Sequence, residues 1–304
     1  MNINLRKLGL LLVCLFSAFS VMAQTGEEKT QLFEYPEVPD RLTKPELRAD
    51  YMVLHLWDKC NLEKETITDF DAFHEAFTDY LSFFVIANKD EVEKSIKQFV
   101  RRIAKNEGNL RLLLTVLNEE VLSPYGNYVS DEVYSMFAMN LADEKKVDKE
   151  LRRVMEHNVE IINANAVGAV FPDLPVAIVG AGETSLHQLA SELTVVVVNT
   201  ESASDTSIFK LRLGTDIATN ALIGAGLVTV VSVYDKDSTA AESQIASETK
   251  GWAVAKVEKP GDRFDMRVTP TVYLLDRDHK IVKKYVQIDE VLAIMASLKS
   301  QKGI

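Results

Sequence analysis

The sequence predicts a helical half followed by an α/β half. Apolar residues recur at intervals of three and four from about Asp40 to Asn165, and from Gly168 onward short β-branched runs alternate with helical stretches. A third observation concerns the first residues. Arg6 and Lys7 precede the apolar run Leu8 to Phe16, and Val21-Met22-Ala23 stand before Gln24, the pattern of a secretory signal peptide cleaved after Ala23. The expected domains are therefore a signal peptide at 1–23, an all-helical domain at 24–165 and a sheet domain at 166–304.

Within the helical half, Thr43 followed by Pro45 and Glu46 starts a helix that the pattern carries to about Lys59. Asp69 caps the next, whose stripe is Phe70, Phe73, Phe77, Leu81 and Phe84. Val92, Ile96, Phe99 and Ile103 give a third over about 90–106, and further helices read at about 109–122, 130–142 and 145–164. Asn106 with Gly108 marks a helix end, and Ser123-Pro124-Tyr125-Gly126-Asn127 a loop. In the second half the strands are Val195–Val198, Leu227–Val233, Thr271–Leu275 and Lys280–Val286, with helices at about 205–223, 238–248 and 288–299. Unbroken valines suit a central strand covered on both faces.

Composition narrows function. The chain has 34 basic and 45 acidic residues, net −11. Losing Arg6 and Lys7 with the leader leaves 32 against 45, or −13, which excludes nucleic acid as an expected partner. The leader's apolar run is shorter than the about 20 residues of a bilayer span, so no integral membrane segment is expected after cleavage. Of two cysteines, Cys14 lies in the leader behind Val13, where lipoprotein signals carry a small residue. Cys60 is then the lone thiol, unable to form an internal disulfide, and its helix-like surroundings point to buried packing.

From Gly168 to Leu298 the order of pieces resembles secreted thioredoxin-like proteins, the peroxiredoxin-related and cytochrome-maturation thiol proteins among them. Gly168-Ala169-Val170-Phe171-Pro172-Asp173-Leu174 is similar to their lead-in, and Thr184-Ser185-Leu186-His187-Gln188-Leu189 to the turn after it. Leu227–Tyr234 is similar to the second central strand and Val268–Asp276 to the proline loop and third strand. The resemblance implies a cis Pro270 facing the active-site loop, with Thr269 free to pair with an extended polypeptide. It also implies Cys-x-x-Cys after the valine strand, where this chain has Ser202-Ala203-Ser204-Asp205. A serine hydroxyl or a carboxylate cannot replace an attacking thiolate. Asp205, or Ser204, is the expected cap of the following helix. The first half, through Pro45–Tyr51 and His55-Leu56-Trp57-Asp58, resembles an uncharacterised domain that bacterial envelope proteins carry before such a module.

Other constellations are weaker. Val176–Ser185 with Glu201 imitates a dinucleotide fingerprint, but Ser185 stands where a third glycine belongs and the helix would be short. His74-Glu75 lacks a second histidine at Thr78, and Ser202 lacks the glycines of a hydrolase elbow. Glu119-Glu120 and Asp143-Glu144 read as solvated helix ends. No catalytic residue, metal ligand or cofactor is expected. The expected function is that of an exported, redox-inactive thioredoxin-like protein in the periplasm or cell envelope. It would bind a polypeptide or envelope protein through Ser202–Asp205 and the Thr269-Pro270 groove. The alternative is a thiol-disulfide oxidoreductase using Cys60 as a lone redox thiol.

Overall fold

The computed structural model of the protein describes residues 31–199, 204–238, 245 and 248–304, with the side chains of Ser204 and Asp205 outside that description. Among the described residues, six α-helices build the first half: α1 (Pro45–His55), α2 (Phe70–Ser82), α3 (Lys89–Ile103), α4 (Glu107–Leu117), α5 (Asp131–Asp143) and α6 (Lys149–Ala164). Short polar side chains start most of them. Asp69, Asn88, Asn106, Ser130 and Asp148 each accept from a backbone N–H of the first turn that has no partner within the helix. α1 instead begins with Pro45, preceded by Lys44, which makes no side-chain cap.

The regular helix α1 stops at His55, short of the expected Lys59, because the chain tightens there into turns closed by Asp58 N–H on His55 O and Cys60 N–H on Trp57 O. Arg102 on α3 donates to the Trp57 and Cys60 carbonyls at 3.0 and 2.6 Å, adding a second donor to each and clamping these turns to α3. Trp57, Phe73, Phe77, Tyr80, Phe99 and Phe137 meet at ring-centroid distances of 4.7 to 6.4 Å and form the centre of this core. The buried Tyr80 hydroxyl bonds Ser95 Oγ at 2.6 Å, and Ser95 Oγ in turn donates to Val53 O, so neither polar group is stranded.

The second half is a seven-stranded sheet of order β2-β1-β5-β4-β3-β6-β7. Its strands are β1 (Pro175–Ile178), β2 (Glu183–Ser185), β3 (Leu193–Val198), β4 (Val228–Asp235), β5 (Ala253–Val257), β6 (Thr271–Leu275) and β7 (Ile281–Lys284). β3 lies between parallel β4 and antiparallel β6. Its valines divide by the strand's period of two: Val195 and Val197 join one buried cluster, Val196 and Val198 the other. Each is fully buried, worth about 1.5–3 kcal/mol over exposure, which fixes the run in the middle of the sheet. On the Val195 face lie α7 (Ser204–Thr215), α8 (Ile217–Gly224) and α9 (Ile288–Lys302), and on the other lie Phe171 and Phe264.

Three details differ from the sequence reading, and a fourth expectation lies outside the described residues. The helix expected over 205–223 is broken at Asp216, whose extended backbone ends α7 and whose carboxylate caps α8. The helix begins at Ser204, so Ser204 and Asp205 lie in its first turn and the cap position precedes them, outside the described residues. Most of the helix expected at 238–248 also falls outside them. Finally, β1, β2 and β5 had no clear signal, and Val176–Ser185 is a hairpin with Gly180 at φ 87°. Ser185 leads only into one 3-10 turn, so the dinucleotide imitation lacks the helix whose N-terminus would hold a pyrophosphate.

Candidate functional site

The Thr269-Pro270 peptide is cis. Val198 at the end of β3 pairs with Thr271 at the start of β6, so the chain leaving β3 and the chain arriving through Pro270 meet at one end of the sheet. Asn199 fixes the departure: its backbone N–H and its Nδ2 both donate to Val233 O at 2.8 Å. Ser202 and Ala203, the first half of the expected degenerate loop, lie outside the described residues. Of Ser204 and Asp205 only the backbone is described, as the opening of α7.

Two side-chain hydrogen bonds anchor the proline loop to the start of β6. Thr271 Oγ1 donates to Val268 O at 2.5 Å and Tyr273 Oη to Asp265 O at 3.0 Å. Thr269 is exposed, and among the described residues its backbone N–H and C=O have no hydrogen-bond partner. A paired donor and acceptor free beside a strand start is what an added extended chain needs.

The same loop is where the helical half attaches. Arg267, two residues before Thr269, grips Asp265 with Nε at 2.7 Å and Nη2 at 2.5 Å. It also reaches across to Asp131 Oδ1 at 2.6 Å and to Leu122 O at 2.9 Å. Lys284 on β7 donates to Asp131 Oδ2 at 2.6 Å and to Asp265 Oδ2 at 2.8 Å. Two cations and two carboxylates thus close a neutral ring, with both cations over the Tyr285 ring. The Asp265 side chain is 2% exposed. Burial alone would raise its pKa, but hydrogen bonds from Arg267 and Lys284 prevail and hold it at about 2. Nearby, Asn165 Nδ2 donates to Arg263 O at 2.9 Å. The sequence reading missed Asp131, Asp265, Arg267 and Lys284, which are far apart in the chain and match no motif.

Cys60 is 8% exposed and packs in an apolar cluster drawn wholly from residues of the helical half. Burial pushes its thiol up to about 11, with nearby Arg102 pulling the other way. The structure does not bring it into the sheet domain that carries Pro270. His74 Nε2 pairs with Glu120 Oε1 at 3.0 Å, and Glu120 also accepts from the backbone N–H and Nδ2 of Asn127 at 3.0 and 2.9 Å. Expected to be solvated, Glu120 is therefore buried, because it ties down the 123–127 loop. No group of three His, Cys, Asp or Glu among the described residues is placed to hold a metal. No helix among them is long and apolar enough to cross a membrane.

Residues 18–165 match the model of DUF5106, a domain of unknown function. No curated protein sequence matches the chain. A thioredoxin-like protein from Bacteroides caccae superposes with a TM-score of 0.67 at 17% identity, covering 88% of this chain and 99% of that one. The C-terminal domain of an uncharacterized protein from Bacteroides fragilis is 22% identical over 43% of this chain and 98% of its own, with a TM-score of 0.38. The thioredoxin domain of a thiol-disulfide oxidoreductase from Bacteroides vulgatus is 18% identical, covers 44% of this chain and 97% of its own, and has a TM-score of 0.37. The first of these likenesses shows a thioredoxin-like α/β fold behind a helical N-terminal region.

Proposed function

We propose that the protein is an exported, redox-inactive thioredoxin-like protein that binds a polypeptide of the cell envelope at its proline loop. The observation that carries this reading is Thr269, exposed in the cis peptide, whose backbone donor and acceptor have no partner among the described residues. A bound segment would pair with it as an added strand, its C=O accepting from Thr269 N–H and its N–H donating to Thr269 O. Redox inactivity is supported by the sequence, which carries only Cys14 and Cys60, and by the burial of Cys60 with its thiol raised to about 11. A lone-thiol oxidoreductase built on Cys60 has the same two facts against it. Export rests on the leader pattern, and the periplasm or envelope follows from it.

Two measurements test this. Purified protein lacking residues 1–23 should not accelerate the reduction of insulin by dithiothreitol, and turnover that persists in Cys60→Ser would overturn the reading. Polypeptides captured from an envelope extract by wild type should be lost with Pro270→Ala. Titrated back onto labelled protein, a captured polypeptide should shift the Thr269 amide resonance. Equal capture by both proteins, or an unmoved Thr269, would refute peptide binding.

A further inference from the structure

We infer a second binding site, in the helical domain, for a small organic carboxylate with a compact apolar group. Between α1 and α3 lies a cavity of about 310 Å³ whose walls include Val53, Leu54, Trp57 and Phe99. At the roughly 30 Å³ that one water takes up in the liquid, this is room for about ten water-sized groups. Gln98, Arg101 and Arg102 on α3, with Lys105 just past its end, contribute its polar wall.

The charges there are not equivalent. Arg102 is committed to the Trp57 and Cys60 carbonyls, and Lys105 Nζ to Glu63 at 2.8 Å. Asp58, the other acid on the lining, is engaged with His55 at 2.8 Å. Arg101 and Gln98 have no partner among the described residues. Three cations against two acids make the cavity locally positive in a chain of net −11. Arg102 is used on the Trp57 and Cys60 carbonyls in the turns beyond α1. Arg101 is not, and it lines the same recess as the apolar side chains of Val53, Leu54, Trp57 and Phe99. An uncommitted guanidinium next to apolar walls suits a carboxylate whose hydrocarbon part enters the recess.

Trp57 lines the cavity and supplies the readout. The chain has two tryptophans, so the indole N–H resonance of Trp57, assigned by its contacts with Phe99, can be followed beside that of Trp252 as an internal control. The probes are phenylacetate and its uncharged relative 2-phenylethanol. Phenylacetate should shift the Trp57 signal saturably, with Kd of about 1 mM or tighter, and leave Trp252 in place. Arg101→Ala should weaken it by about fivefold or more, and 2-phenylethanol should bind more weakly by a similar factor. Arg101 is exposed and has no partner among the described residues, so its removal leaves the fold intact. An unsaturable or absent Trp57 shift would overturn the proposal. So would equal binding of the alcohol, or binding unchanged in Arg101→Ala. None of these outcomes depends on whether the proline loop binds a polypeptide.

Discussion

Arg267 Nη2 donates to Asp131 Oδ1 at 2.6 Å, joining the loop that leads into Pro270 to the first turn of the fifth helix. Because the same guanidinium holds Asp265, the proline loop and the helical domain are fixed by one side chain. The helical domain therefore helps to set the conformation in which Thr269 is presented.

The two carboxylates of this ring should differ in what they contribute. Asp131 is 33% exposed on its side chain, so water screens its loss. Asp131→Asn should cost about 1 kcal/mol in urea unfolding and reduce the salt dependence of stability. Asp265 is 2% exposed, and Asp265→Ala strips two largely buried cations of the more buried of their two shared acceptors, for about 3–5 kcal/mol. Equal effects of the two substitutions would contradict the burial difference.

The same residue gives a pH dependence of definite sign. The folded pKa of Asp265, about 2, lies below the unfolded value of 3.8, so folding favours the ionised form. Its contribution is complete above about pH 4 and is lost as pH falls through about 2. The difference is worth about 2 kcal/mol. Unfolding free energies of wild type and Asp265→Asn, compared at pH 5 and pH 2.5, should converge at the lower pH. A constant gap would show that Asp265 is not held ionised.

Much of this fold could be read from the sequence, because burial imposes period. Val195–Val198 identified the central strand, and the spacing of Val92, Ile96, Phe99 and Ile103 identified the third helix. β1 and β2 were not legible, since four- and three-residue strands with exposed positions carry little pattern. The break at Asp216 was hidden because apolar spacing continues through it while the backbone does not. At the site, the cis Pro270 was implied by the resemblance of Val268–Asp276 to the proline loop and third strand of thioredoxin-like proteins. Asp131, Asp265, Arg267 and Lys284 were not, since only tertiary folding brings them within hydrogen-bond distance.

Cys60 should behave as a core residue. A thiol that is 8% exposed and raised to about 11 is almost wholly protonated at pH 8. Native protein should react with a disulfide reagent at least about 100-fold more slowly than protein unfolded in guanidinium. Reaction at the unfolded rate would mean that the first helix and its neighbours open readily, and would revive Cys60 as a redox thiol.

Asp216 should be worth more than an ordinary cap. Its Oδ2 accepts from Thr219 N–H at 2.7 Å and from Thr219 Oγ1 at 2.8 Å, and Thr219 is fully buried. Asp216→Ala therefore removes the cap, about 1 kcal/mol, and strands a buried hydroxyl, about 1–3 kcal/mol more. Adding Thr219→Val removes the stranded hydroxyl while keeping the side chain's shape, so the double substitution should be more stable than Asp216→Ala alone. Asp216→Asn, which keeps an acceptor oxygen, should lose little. Hydrogen exchange should place the loss in Ile217–Gly224, beside Leu222 in the core. If the double substitution is the less stable one, the hydroxyl is satisfied elsewhere and Asp216 acts as a cap alone.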